Sequence, residues 1–143
     1  MTIETIEHGS PDYEKMIALR MDILRRPLGL TYSAEQLASE KGLILIVAKA
    51  KEEVVGCCIL LAEDEQKMRL KQMAVAENQQ GKGLGRKIIA FAESVATQAG
   101  SRILCMHARL NALPFYQKMG YKKVGEVFLE IGLPHYFMEK SLE

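Results

Sequence analysis

The spacing of apolar positions changes character as the chain proceeds. Thr2 to Glu7 alternates Thr, Ile and Glu and predicts a short first strand. Tyr13, Met16, Ile17 and Leu24 then recur at helical spacing, behind a Ser10-Pro11 start and ahead of Pro27 and Gly29. Ser33-Ala34-Glu35-Gln36 has the spacing of a capping box, with Tyr32 and Leu37 placed as a hydrophobic staple. That predicts a short second helix to about Lys41, stopped by Gly42.

From Leu43 the texture is that of strands: Leu43–Ala50, Val54–Ala62 with Gly56 inside it, and Gln66–Val75, separated by short acidic or polar turns. In the third of these, Met68 and Leu70 share one face while Met73 and Val75 fall on the opposite parity. A β-bulge near Gln72 or a strand buried on both faces would produce that change. A glycine-rich loop follows, and then a long amphipathic helix carrying Leu84, Ile88, Phe91, Ala92, Val95 and Ala99 on one face, with Gly100 as its stop. Arg102–Met106 reads as a strand, Asn111–Met119 as a short helix closed by Gly120, and Tyr121–Ile131 and His135–Leu142 as two final strands. Strands in succession with helices on their faces predict one α/β layered domain over residues 1–143, with a mixed sheet.

Composition narrows the partners. The chain has 143 residues, is 48% hydrophobic and 26% charged, and carries a formal net charge of +1. That balance gives no global field to recruit nucleic acid or an anionic membrane. No apolar run reaches the roughly 20 residues of a membrane span. Cys57, Cys58 and Cys105 are odd in number and two are adjacent, which fits a reducing cytosol better than a disulfide framework. Cys105 and His107 share a strand face, but no second Cys/His pair stands at zinc spacing, so no metal is expected.

The chemistry concentrates in Gln80-Gly81-Lys82-Gly83-Leu84-Gly85-Arg86, between a strand and the long helix. Glycines on alternate positions permit tight turning and close approach of a ligand. The first N–H groups of the helix lack internal partners and its dipole favours an anion; Lys82, Arg86 and Lys87 add charge at the same point. A pyrophosphate is the natural ligand. Two familiar phosphate motifs, the dinucleotide fingerprint and the P-loop, would each require glycine where Arg86 stands.

Gln80-Gly81-Lys82-Gly83-Leu84-Gly85 instead resembles the Q/R-x-x-G-x-G/A motif of the GCN5-related N-acetyltransferase (GNAT) superfamily. A second block, Ala112-Leu113-Pro114-Phe115-Tyr116-Gln117-Lys118-Met119-Gly120-Tyr121, resembles that family's A-x-x-x-Y-x-x-x-G-F/Y segment, in the right order after a helix and a strand. The resemblance implies a central, mostly antiparallel sheet flanked by helices, and acetyl transfer from acetyl-CoA to a small-molecule or peptide amine. It also implies that a homodimer is a common outcome on this fold. Backbone groups of Met73, Ala74 and Val75 would meet the pantetheine arm. Gln80, Gly81, Lys82, Gly83, Gly85 and Arg86 would hold the pyrophosphate, and Phe115 would pack on core or cofactor. Tyr116 stands where family members place the tyrosine that protonates the departing thiolate.

The base is left open by the residues themselves. The third strand offers Lys67, Arg69, Lys71 and Gln72 and no acid. His107 and His135 are then the candidates that titrate near neutrality, with Glu126 and Glu130 as further carboxylates. Many family members carry asparagine at the position of Arg109, which puts a cation here beside cofactor or acceptor. Tyr32, His107 and Arg109 are the candidate acceptor contacts. A non-catalytic acyl-CoA-binding domain on the same fold is the alternative reading.

Overall fold

A computed structural model describes residues 1–143. Its elements are β1 (Thr2–Ile6), α1 (Pro11–Arg20), α2 (Ala34–Ala38), β2 (Ile44–Ala50), β3 (Glu53–Ala62), β4 (Lys67–Val75), α3 (Leu84–Gln98), β5 (Ile103–Arg109), α4 (Leu113–Lys118), β6 (Lys122–Glu130) and β7 (Leu133–Ser141). The strands form a seven-stranded sheet in the order β1-β2-β3-β4-β5-β7-β6. Only β4 and β5 pair in parallel; all other neighbours are antiparallel. The expected α/β architecture, a mostly antiparallel sheet flanked by helices, is the observed one. No helix is long and apolar enough to cross a membrane.

Each sheet face buries its own core. On one, α3 inserts Leu84, Ile88, Ile89, Ala92 and Ala96 against Ile46, Cys58, Leu60, Leu70, Leu104 and Met106. A Cβ at Gly56 would lie 2.5 Å from Ile88 Cδ1, so the glycine inside β3 is what lets the helix approach the sheet. On the other, α1 packs Tyr13, Met16 and Leu19 against Leu45, Val47, Cys57, Ile59 and Ala74. This second cover reaches β4 but leaves β5, β7 and β6 open on that face.

The start signals read from the sequence are used as expected. The Ser10 side chain accepts from the Tyr13 N–H, and Ser33 and Gln36 form a complete capping box. The first helix departs from expectation at its end. After Arg20 it loosens into a π-helical turn, Met21–Arg25, and a 3₁₀ turn, Arg26–Leu28, before Gly29 stops it with φ of 69°. Such π-turns re-aim side chains and recur at functional sites; here the turn carries Leu24 and Arg25 to the edge of β4.

Candidate active site

β4 turns out to be bulged. Cys57 pairs with Ala74 and Ile59 with Lys71, so Gln72 and Met73 together oppose Cys58. Gln72 takes a positive φ of 55° at the extra residue, and the Cys57 S–H donates to its carbonyl at 3.5 Å. Of the two sequence readings of this strand, the bulge is the correct one. It throws β4 away from β5: the parallel pair holds only over Lys67–Leu70 and Ile103–Met106, and beyond that the strands part.

The gap is a cleft of about 480 Å³ that passes through the sheet. Tyr116, Met73 and Ala112 line it on the α3 side; Arg25, Lys71, His107, Arg109, Glu130 and His135 line it on the other. It therefore brings together Tyr116, His107, Arg109 and His135, four residues singled out from the sequence. Tyr116 is 7% exposed. Its hydroxyl has no hydrogen-bond partner in the chain, yet no buried polar side-chain atom is left unpartnered, so the hydroxyl opens onto the cleft. Burial pushes the phenol well above its ordinary range. It therefore stays protonated at neutral pH, as a hydrogen-bond donor.

The opposite wall holds a carboxylate between two imidazoles. Glu130 Oε1 lies 2.9 Å from His107 Nδ1, and Glu130 Oε2 lies 3.6 Å from His135 Nε2. Arg69 Nη1 is 3.2 Å from His107 Nε2. A guanidinium can only donate, so Nε2 accepts and Nδ1–H donates to Glu130. His135 is 3% exposed and its Nδ1–H donates to the Leu133 carbonyl at 2.9 Å, which places it behind Glu130. Glu130 keeps 44% of its side-chain surface and reaches the cleft. Glu126 sits in the irregular stretch of β6 and does not line the cleft.

At the far end of β4 the loop enters α3 through Gly81 and Gly83, with φ of 77° and 84°. No side chain caps α3 and its first turn holds no acid, so the leading N–H groups face outward with Lys82, Arg86 and Lys87 exposed around them. Gln80 Nε2 donates to the Val75 carbonyl at 3.0 Å and ties the loop back to the strand. A Cβ at Gly85 would lie 3.3 Å from the Phe115 ring and 3.6 Å from Met73 Cε. Gly85 thus keeps open the floor between loop, Phe115 and β4. This uncapped cationic helix start, preceded by the stretch Met73–Val75 of β4 whose edge toward β5 carries no strand partner, fits a coenzyme A with its phosphates at α3 and its arm along that edge.

A buried polar cluster went unread in the sequence. Arg20 is fully buried and makes a bidentate pair with Glu40, at 2.9 and 2.7 Å, and the Tyr13 hydroxyl donates to Glu40 at 2.6 Å. Burial alone would raise the Glu40 carboxyl, but the bonds from Arg20 and Tyr13 hold it below the ordinary carboxylate range. Tyr32 lies between the Arg20 and Arg25 guanidinium groups, 4.5 and 4.3 Å from its ring centre, and its hydroxyl donates to Gln72 Oε1 at 2.6 Å. Tyr32 thus braces the bulge. The available signal was spacing: Arg20 continues the buried series Tyr13, Met16 along α1.

Comparison with known proteins agrees with this geometry. The family model described as an acetyltransferase (GNAT) domain matches residues 30–142. The chain belongs to the GNAT family of acetyltransferases. Among curated relatives, UPF0039 protein C11D3.02c of Schizosaccharomyces pombe is 28% identical over 100 residues, covering 68% of this chain and 67% of that one. The uncharacterized N-acetyltransferase YjcF of Bacillus subtilis is 33% identical over 74 residues, 51% of this chain and 53% of its own length. Among solved structures, an aminoglycoside 6'-N-acetyltransferase complexed with coenzyme A superposes with a TM-score of 0.82 at 18% identity, covering 100% and 98% of the two chains. A GNAT family acetyltransferase from Elizabethkingia anophelis with acetyl-CoA bound gives 0.75 at 22% identity, covering 98% and 97%.

Proposed function

We propose that this chain is an acetyl-CoA-dependent N-acetyltransferase that moves the acetyl group directly to a primary amine. The observation that carries this reading is the cleft through the sheet, with a phenol donor on one side and a carboxylate on the other. Acetyl-CoA supplies the thioester whose carbonyl carbon the amine attacks, forming C–N and breaking C–S. The Gln80–Arg86 loop binds the phosphates, and the unpaired edge at Met73–Val75 orients the arm. Tyr116 donates to the departing sulfur, a hydrogen bond that strengthens as negative charge develops there. An amine of pKa near 10.4 is almost wholly protonated at pH 7, so a group on the acceptor side must take its proton. Glu130 takes that role in this reading, directly or through one water, with the His107 Nδ1–H bond orienting its carboxylate. The three cysteines are unpaired and buried, in keeping with a reducing, cytoplasmic setting.

The test is release of coenzyme A together with mass-spectrometric detection of the N-acetyl product across an amine panel. Turnover supports the transferase. Saturable binding of acetyl-CoA with no product from any amine overturns it in favour of a non-catalytic acyl-CoA-binding domain.

A further inference from the structure

The walls of the cleft on the acceptor side are unevenly charged. Arg25, Arg69, Lys71 and Arg109 line it against a single carboxylate, Glu130. Arg69 is occupied by Glu63 at 3.1 Å, and Glu130 is held by His107 at 2.9 Å. Arg25, Lys71 and Arg109 have no carboxylate within 4.0 Å, although all are half-buried. Lys71 feels the charge of Glu40, but that carboxylate is already bidentate to Arg20.

Lys71 is not placed for the coenzyme's phosphates. Lys71 shares the parity of Arg69 and points away from the α3 core that takes Met68 and Leu70. It also stands four residues before Val75, about 13 Å back along the strand from where the phosphate loop begins. That loop has its own cations in Lys82, Arg86 and Lys87. Positive charges on a cleft wall with no carboxylate beside them are free to receive an anionic group from a ligand. A polycation such as a polyamine or an aminoglycoside would add like charge to the same wall.

Resting on the transferase reading above, we infer that the acceptor is a small amine that also carries a carboxylate, with the acid held by Lys71 and Arg25 and the amine presented to Glu130. Arg25 is fixed for this role by its stack on Tyr32, and Arg109 extends the positive wall from β5.

The experiment compares 4-aminobutyrate, 6-aminohexanoate and glutamate with the carboxamides of the first two, and with spermidine and kanamycin, by kcat/KM for N-acetylation. The ω-amino pairs keep amine basicity and size nearly constant while removing the acid. Each acid is expected to exceed its amide by about tenfold or more, as for a hydrogen bond to a charged group. Lys71→Ala should reduce that preference to about threefold or less, Lys71→Arg should restore it, and Lys71→Glu should invert it. All variants should keep the wild-type thermal shift with coenzyme A, which shows that they fold and bind the cofactor. Equal use of acids and amides, or faster acetylation of spermidine or kanamycin, overturns the inference. Calorimetric titration of the same acids into the coenzyme A-loaded protein separates the two levels. Carboxylate-dependent binding without transfer supports the acceptor class and sinks the transferase; no binding of any acid overturns the acceptor class itself.

Discussion

Removing Glu40 should unsettle both the fold and the cleft. In Glu40→Ala the Arg20 guanidinium, which is fully buried, loses both of its carboxylate bonds, and the Tyr13 hydroxyl keeps only the longer bond to the Leu37 carbonyl, at 3.3 Å. Breaking a buried pair from one side destabilises by about 3–5 kcal/mol, because the remaining charge stays desolvated. Against a typical domain stability of roughly 5–15 kcal/mol that is a large fraction. For a chain of this size it corresponds to a fall in Tm of roughly 10–17 °C. Arg20→Met/Glu40→Leu removes both charges and should recover much of the loss. The pair also carries a pH dependence. Glu40 is held low in the fold, so its contribution is complete above its unfolded value near 4.3 and is lost as pH falls through the lower folded value. Urea titrations of wild type, single and double variants at pH 7 and pH 3.5 read these terms. A Glu40→Ala change of less than about 1 kcal/mol at pH 7 would mean that Arg20 finds another partner and that the pair is not what holds α1 to this face.

Other outcomes follow from the same contacts. Tyr116→Phe should lower kcat by about 10²-fold with little change in acetyl-CoA affinity, measured by steady-state kinetics and calorimetry. Glu130→Gln should slow transfer at pH 7, and its deficit should shrink as the pH approaches the amine's own pKa near 10, read from pH–rate profiles. Gly56→Ala forces a methyl to within 2.5 Å of Ile88 Cδ1 and should destabilise by about 1–3 kcal/mol in a urea titration. Burial pushes the Cys57 thiol up to about 12 and the Cys105 thiol up to about 11. The folded protein should therefore react slowly with Ellman's reagent and release all three thiols only in denaturant.

Much of this architecture is legible in the sequence because each signal is local. The Ser10-Pro11 start, the Ser33/Gln36 capping box and the alternate glycines before α3 fix their elements by chemistry within a few residues. The parity change along β4 pointed to the bulge but left a doubly buried strand equally open; only pairing with β3 decides between them. What the sequence hides is contact across distance. Arg20 meets Glu40 across a π-helical turn that no propensity marks, and Tyr32 reaches forty positions along the chain to Gln72. The proposed base was open for the same reason: Glu130 stands at the end of β6, and only strand order brings it between His107 of β5 and His135 of β7.

On the proposed function, the loop before α3 and the parted β4 edge hold an acetyl-CoA. Thermal unfolding with and without acetyl-CoA, with ATP and NAD as controls, reads that binding. At 100 times its dissociation constant, acetyl-CoA should add about 2.7 kcal/mol of stability, and a branched side chain placed by Gly85→Val should abolish that gain. Stabilisation by ATP or NAD with none from acetyl-CoA, in a protein that is folded, would contradict the account.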